Sequence, residues 1–170
     1  MNIFYSSNNP YVAAQDACDK HCVKMILETA QLLCTAHRLL DGNEAADGHG
    51  MYKATHKNHP CAVWARDNAE NYSWLFKYFV ALLNEYKNRY KKVHKSSFLL
   101  SCLKYPPRSI SQGVFSDPPQ CMPEQYKQLD TTLAYRAYLR GEKAGFARWN
   151  HSQQPKWWGT MPSEGETSMK

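Results

Sequence analysis

The sequence predicts a mainly α-helical protein: a single compact helical domain over residues 1–160, with a short N-terminal extended segment, a buried central helix and a disordered tail at 161–170. Three observations carry that prediction. Residues 18–40 are apolar or small around most of a helix drawn at ~100° per residue. A second stretch, 69–90, places Trp74, Leu75, Tyr78, Phe79, Leu82, Leu83 and Tyr86 at the three- and four-residue spacing of one helix face. Between and before these, Asn or His stands ahead of Pro at Asn9-Pro10 and His59-Pro60, the pattern of a cap followed by the first helical residue.

The elements follow in order. Residues 2–7 are β-prone and end in the turn signal Asn8-Asn9-Pro10, so they read as a short extended segment. Pro10 starts a helix through Tyr11-Val12-Ala13-Ala14 that runs into, or kinks near, the central stretch. Residues 41–53 are rich in Gly, Asp and Asn and read as a mobile loop. Pro60 starts a short helix with His59 or Asn58 as cap, and Asp67 or Asn68 caps the helix from Ala69 to Tyr90. Ser96-Ser97 cap a short helix that Pro106-Pro107 stop. Residues 107–123 are irregular. Pro123 then begins a last long helix, 124–147, whose later half is basic. Trp157-Trp158 form a clasp or a stacking surface.

The chain has 170 residues and a net charge of +6, which points to a polyanionic partner: nucleic acid (DNA) or a nucleotide. No apolar run is long enough to span a bilayer, and the first residues lack the basic and apolar regions of a signal peptide. The expectation is a cytoplasmic protein, in a host cytoplasm if it is viral, with no membrane partner. The cysteines at 18, 22, 34, 61, 102 and 121 show no paired CxxC spacing, so they read as free core thiols, with no metal and no cofactor expected. P-loop, GxGxxG and GxSxG patterns are missing, which removes the common nucleoside-triphosphatase, dinucleotide-dependent and serine-hydrolase readings.

The central helix carries a narrow polar stripe: Lys20, His21, Lys24, Glu28, Gln31, Thr35 and Arg38 fall within about 100° of one another. On a helix that is otherwise apolar, such a stripe faces a cleft or a thin strip of solvent. A solvated strip would hold little more than a Lys24–Glu28 pair, worth a few tenths of a kcal/mol. A cleft would gather a cation, an imidazole and a carboxylate. Lys20 or Lys24 would then supply an amine nucleophile or electrostatic stabiliser, Glu28 a carboxylate, and His21 an acid, base or phosphate donor. A second cluster, His56-Lys57-Asn58-His59-Pro60 followed by Arg66, sets donors at a helix start, which suits an anion. The basic run ending at Lys95 offers a further phosphate contact. Lys57, Asn58, His59, Arg66 and Lys95 are therefore the expected phosphate-binding set.

The order of these parts, with Tyr52-Lys53, His56-Lys57-Asn58-His59-Pro60, an aromatic helix, and Arg89-Tyr90-Lys91-Lys92 through Lys95-Ser96, resembles the small pyrimidine-dimer DNA glycosylases of the endonuclease V type over roughly residues 1–100. The chain also looks like small phage proteins that begin M-N-I-F and contain D-K-H-x-V-K-M-I-L-E. The glycosylase resemblance implies a compact, mainly helical fold and attack by an amine on the sugar C1′ of a damaged nucleotide, assisted by a carboxylate. In that family the amine is the N-terminal one and a Glu lies on the first long helix. Asn2 is bulky, so Met1 is expected to be retained here, and Asp19 and Glu28 are the nearest carboxylates. The family's R-E arrangement is absent. The leading expectation is a DNA-processing enzyme of glycosylase/AP-lyase type acting on a damaged or modified base in a basic cleft. The alternatives are a non-enzymatic phage-type binder that sequesters a nucleotide or host factor, and an interaction protein whose stripe is only an ion-pair strip.

Overall fold

The computed structural model describes residues 1–159; the tail expected to be disordered, 161–170, lies outside them. The described residues contain seven α-helices, three 3-10 turns and no strand. Residues 1–7 have no regular structure, as expected, but the run is interrupted at Phe4, whose φ is +56°.

Helix α1 is Pro10–Asp16, and Asn9 caps it by accepting hydrogen bonds from the Tyr11 and Val12 N–H groups. After a two-residue break comes α2, Asp19–Asp41, which ends where Gly42 turns to φ +87°. Pro60–Asp67 forms α4 with His59 as its cap, and Ala69–Tyr90 forms α5 with Asn68 as its cap. These starts match expectation because each is encoded by a cap and its neighbours. Helix α5 packs against both α1 and α2, and α4 bridges α2 and α5. Met25, Ile26, Leu33, Tyr72, Leu75, Phe79 and Leu82 are buried in the shared core.

Four expectations about the elements are corrected. Residues 41–53 are not an unstructured loop: α3, Asn43–Gly48, lies within them. The cause is Arg38, a stripe residue that turns inward. Its buried guanidinium donates to the carbonyls of Met51 and Tyr52 at 2.7 Å and to Asn43 Oδ1, and pairs with Asp47 at 2.9 Å. The short helix after the basic run is capped by His94, not by Ser96-Ser97; it opens as a 3-10 turn, Lys95–Leu99, before α6, Leu100–Leu103. Ser96 is buried and shares a hydrogen bond with Tyr52 Oη at 2.7 Å. Pro123 precedes only a 3-10 turn, Glu124–Tyr126, because the chain becomes extended at Lys127; Asp130 caps the last helix, α7, Thr131–Glu142. Within the basic run, Arg89 is structural. Its buried side chain donates to the carbonyls of Ala17 and Gln15 and pairs with Asp19 and Glu85, tying the end of α5 to the α1–α2 junction.

Candidate active site

The first six residues are held firmly, which chain ends seldom are. Ile3 and Tyr5 are buried in the core. The Asn2 side chain accepts from the Ile3 N–H at 2.7 Å and donates to the Cys121 carbonyl at 2.9 Å. Ser6 donates to Asp16 and Tyr5 to Asp117. These ties bring the α-amine of Met1 to 3.9 Å from Glu28 Oε1, with the Met1 side chain 3% and the Glu28 side chain 20% exposed. The separation is an ion-pair distance, longer than a hydrogen bond.

Glu28 sits midway along α2, on the stripe. Its partner is the chain terminus and not Lys24: no ion pair joins Lys24 to Glu28 among the described residues. Asp19, the other carboxylate near the N-terminal end of α2, is already committed. It receives Arg89 and the Asn150 N–H. Asp41, at the far end of α2, accepts from the Arg108 and Ser109 N–H groups, so Glu28 is the carboxylate of α2 that faces the terminal amine.

His59 joins this pair from the start of α4. Thr35 and Thr55 bond to each other, Thr35 Oγ1 accepting from the Thr55 N–H at 3.2 Å, and this fixes the preceding loop to α2 two turns beyond Glu28. The loop turns through His56 at φ +47°. His59 Nδ1 accepts from the Cys61 N–H at 3.1 Å, which leaves Nε2 to carry the ring proton. Burial holds the His59 imidazole below its usual pKa, and the terminal ammonium and His56 push the same way while Glu28 opposes them. The ring is a neutral donor within the field of both Met1 and Glu28.

Two thiols complete the group. Cys61 and Cys121 lie with their sulfurs 3.7 Å apart. The hydrogen bond from Cys61 holds the Cys121 thiol below its usual pKa, and Lys127 and the terminal ammonium push the same way while burial opposes them. Sequence reading missed this pair, since sixty residues separate the two and neither belongs to a CxxC pattern.

The other stripe residues make contacts of their own. His21 is buried beneath Phe4, the rings stacked 4.3 Å apart, with Phe146 against its edge. Burial, and then the charges of Lys143, Lys24 and Lys20, lower its pKa to about 4. Lys20 lies 4.6 Å over the Phe146 ring, and Lys24 is exposed. Beside them the Lys143 ammonium lies within 6.0 Å of the Phe4, Tyr138 and Phe146 rings. The amino-terminal half of the stripe is thus an outward, cationic and aromatic surface, interrupted by the exposed side chains of Val23 and Leu27. Its carboxy-terminal half, Thr35 and Arg38, is buried.

The expected phosphate set is spread out. Lys57 and Asn58 are exposed on the loop that carries His59. Arg66 stands at the far end of α4, about 10 Å along its axis from His59, with Nη1 buried and without a hydrogen-bond partner in the protein. Lys95 is exposed at the turn after α5.

Neither a curated protein nor a solved structure matches the chain. The family model described as pyrimidine dimer DNA glycosylase matches residues 1–97. That span holds Met1, the helix bearing Glu28, the His59 loop and the whole of α5, and it exceeds half of the chain: the protein belongs to the pyrimidine dimer DNA glycosylase family.

Proposed function

We propose that this protein is a DNA glycosylase with AP-lyase activity in which the Met1 α-amine is the nucleophile and Glu28 is its carboxylate partner. The observation that carries the reading is the 3.9 Å approach of the amine to Glu28, made by a terminus that the fold pins in place. Glu28 accepts the proton that the ammonium must lose before it attacks. The neutral amine attacks C1′ of the damaged pyrimidine nucleotide, and the C1′–N bond breaks as the base leaves with its electron pair and takes up a proton. The sugar ring opens to an iminium joined to Met1. Glu28 stabilises that cation, and loss of the C2′ proton breaks the C3′–O bond to cut the strand. His59, with its proton on Nε2, is placed to donate a hydrogen bond to the sugar or leaving base. Lys20, Lys24 and Lys143, set among Phe4, Tyr138 and Phe146, form a surface suited to phosphates and unstacked bases.

The test is borohydride capture on duplex DNA bearing a cyclobutane pyrimidine dimer or an abasic site, followed by peptide mapping of the adduct. The expected adduct is on the peptide that begins at Met1. An adduct on Lys20 or Lys24 overturns the assignment of the amine. No adduct and no strand cleavage on either substrate overturns the enzymatic reading in favour of a binder.

A further inference from the structure

His59, Cys61 and Cys121 place one ring nitrogen and two sulfurs within 4.8 Å of one another. The two sulfurs are 3.7 Å apart. A disulfide would require about 2.05 Å. Two thiolates bound tetrahedrally to one zinc ion, each at about 2.3 Å, lie about 3.8 Å apart. The thiols already have the spacing of two ligands of one ion.

We propose that His59, Cys61 and Cys121 form a binding site for a thiophilic divalent cation of the zinc class. The ligands arrive from separate parts of the chain. His59 and Cys61 flank the first residue of α4, and the Cys61 N–H bond to His59 orients the imidazole. Cys121 is carried by the irregular segment before α7. Its backbone is held on both sides: the carbonyl accepts from Asn2 Nδ2 at 2.9 Å, and the N–H donates to Tyr135 Oη at 3.3 Å. Tyr135 is itself buried and donates to the Pro119 carbonyl. The fold thus sets the sulfurs before any ion arrives, which lowers the ordering cost of binding.

Binding exchanges the protons of the two thiols, released to solvent, for the cation, with no change of oxidation state; the neutral imidazole ligates through Nδ1, which exchanges its hydrogen bond from the Cys61 N–H for the cation while Nε2 keeps its proton. Three protein ligands leave a fourth position open, as in zinc sites that bind an exogenous ligand. The charge of the Met1 amine bears on all three groups. A filled site replaces two neutral thiols by two thiolates and a dication, so it adds no net charge beside that amine. Metal binding does not rest on the amine reading above.

The experiment titrates the reduced full-length chain with Co2+, follows thiolate-to-cobalt charge-transfer absorption, and then displaces the cobalt with Zn2+. One equivalent of cobalt is expected, its absorption bleached by zinc. Cys121→Ser should weaken binding at least tenfold and reduce the charge-transfer intensity. His59→Gln, a second variant that leaves the core untouched, should weaken binding as well, while Cys102→Ser should match the parent. Thermal unfolding checks that each variant folds. No charge-transfer band in the parent, or a band unchanged in both Cys121→Ser and His59→Gln, overturns the site. If the parent forms no borohydride adduct on the DNA substrates while the cobalt band is present, the amine reading fails and the metal site stands.

Discussion

The α-amine of Met1 and the carboxylate of Glu28 come from opposite ends of a stretch of twenty-eight residues and meet at 3.9 Å. Neither the helix that bears Glu28 nor the segment that begins at Met1 produces this contact alone. It depends on Ile3 and Tyr5 filling the core and on Asn2 bonding to the Cys121 carbonyl.

Glu28→Gln should separate chemistry from binding. The amide keeps the size and half-buried position of the carboxylate but neither accepts the ammonium proton nor balances an iminium. Adduct formation and strand cleavage are expected to fall by about 10²–10⁴-fold, the usual range for a positioned acid or base. Affinity for duplex DNA should hold or rise slightly, since a negative charge has been removed. Single-turnover cleavage and a mobility-shift assay on the same DNA read the two effects apart; equal losses in both would count against the assignment.

An added residue before Met1 should abolish adduct formation. The extension converts the amine to an amide and displaces it from Glu28, while the rest of the fold keeps its caps and core. The comparison is between a chain beginning at Met1 and one beginning Gly-Met, both checked for folding by circular dichroism. Full activity in the extended chain would exclude Met1 as nucleophile.

How much of this could be seen in the sequence divides along the range of the interaction. Helix starts depend on neighbours, so Asn9-Pro10, His59-Pro60 and Asn68 announced α1, α4 and α5. The 3.6-residue period revealed α2 and α5 as core helices. What depended on distant partners was hidden. The local reading paired Glu28 with Lys24, one turn away, because the chain terminus cannot be placed from periodicity. Arg38 and Arg89 looked like solvated or phosphate-facing cations. Both are buried and satisfied by carbonyls that sequence does not bring to them. His21 was visible as a stripe residue, but the stack of Phe4 above it was not, since that stack requires the left-handed turn at Phe4. Cys61 and Cys121 were invisible as a pair for the same reason.

Arg89→Met should destabilise the fold without touching the Met1–Glu28 pair. The guanidinium satisfies the Ala17 and Gln15 carbonyls and two carboxylates, Asp19 and Glu85. Removing one partner of a buried ion pair leaves charge uncompensated and costs about 3–5 kcal/mol. At roughly 2–4 °C per kcal/mol for a chain of this size, the melting temperature should drop by about 6–20 °C. Thermal unfolding by circular dichroism measures it. A shift under ~2 °C, less than 1 kcal/mol on that scale, would mean that the network is not a structural tie.

His21 should make the protein acid-sensitive in a defined window. Its native pKa is about 4, lowered first by burial and then by Lys143, Lys24 and Lys20, against about 6.5 in an unfolded chain. Above pH 6.5 both states are neutral at this ring and it contributes no pH dependence. Between about 6.5 and 4 the unfolded chain takes up a proton that the native chain refuses, so stability falls with falling pH at up to ~1.4 kcal/mol per unit. Below about 4 the loss levels off, because the native ring also protonates. His21→Phe keeps a ring against Phe4 and removes the titration. The stability of His21→Phe relative to the parent should therefore rise as pH is lowered from 7 through 5.5 to 4.5, read by urea unfolding at each pH. Parallel curves would show that His21 is not held neutral.

Lys20→Gln with Lys24→Gln should weaken DNA binding and leave the site of the adduct unchanged. Both lysines lie on the exposed part of the stripe, Lys20 against the Phe146 ring and Lys24 one turn before Glu28, and neither is ion-paired to that carboxylate. Each phosphate contact contributes about −0.9 to the slope of log K against log salt on duplex DNA, so losing two should flatten that slope by roughly 2. Fluorescence anisotropy across a potassium chloride series gives the slope, and peptide mapping after borohydride gives the adduct. A flatter slope with the adduct still on Met1 assigns these lysines to the phosphate backbone. If the slope is unchanged and the adduct is lost, a lysine and not the terminus is the nucleophile, and the roles of Met1 and the stripe would be exchanged.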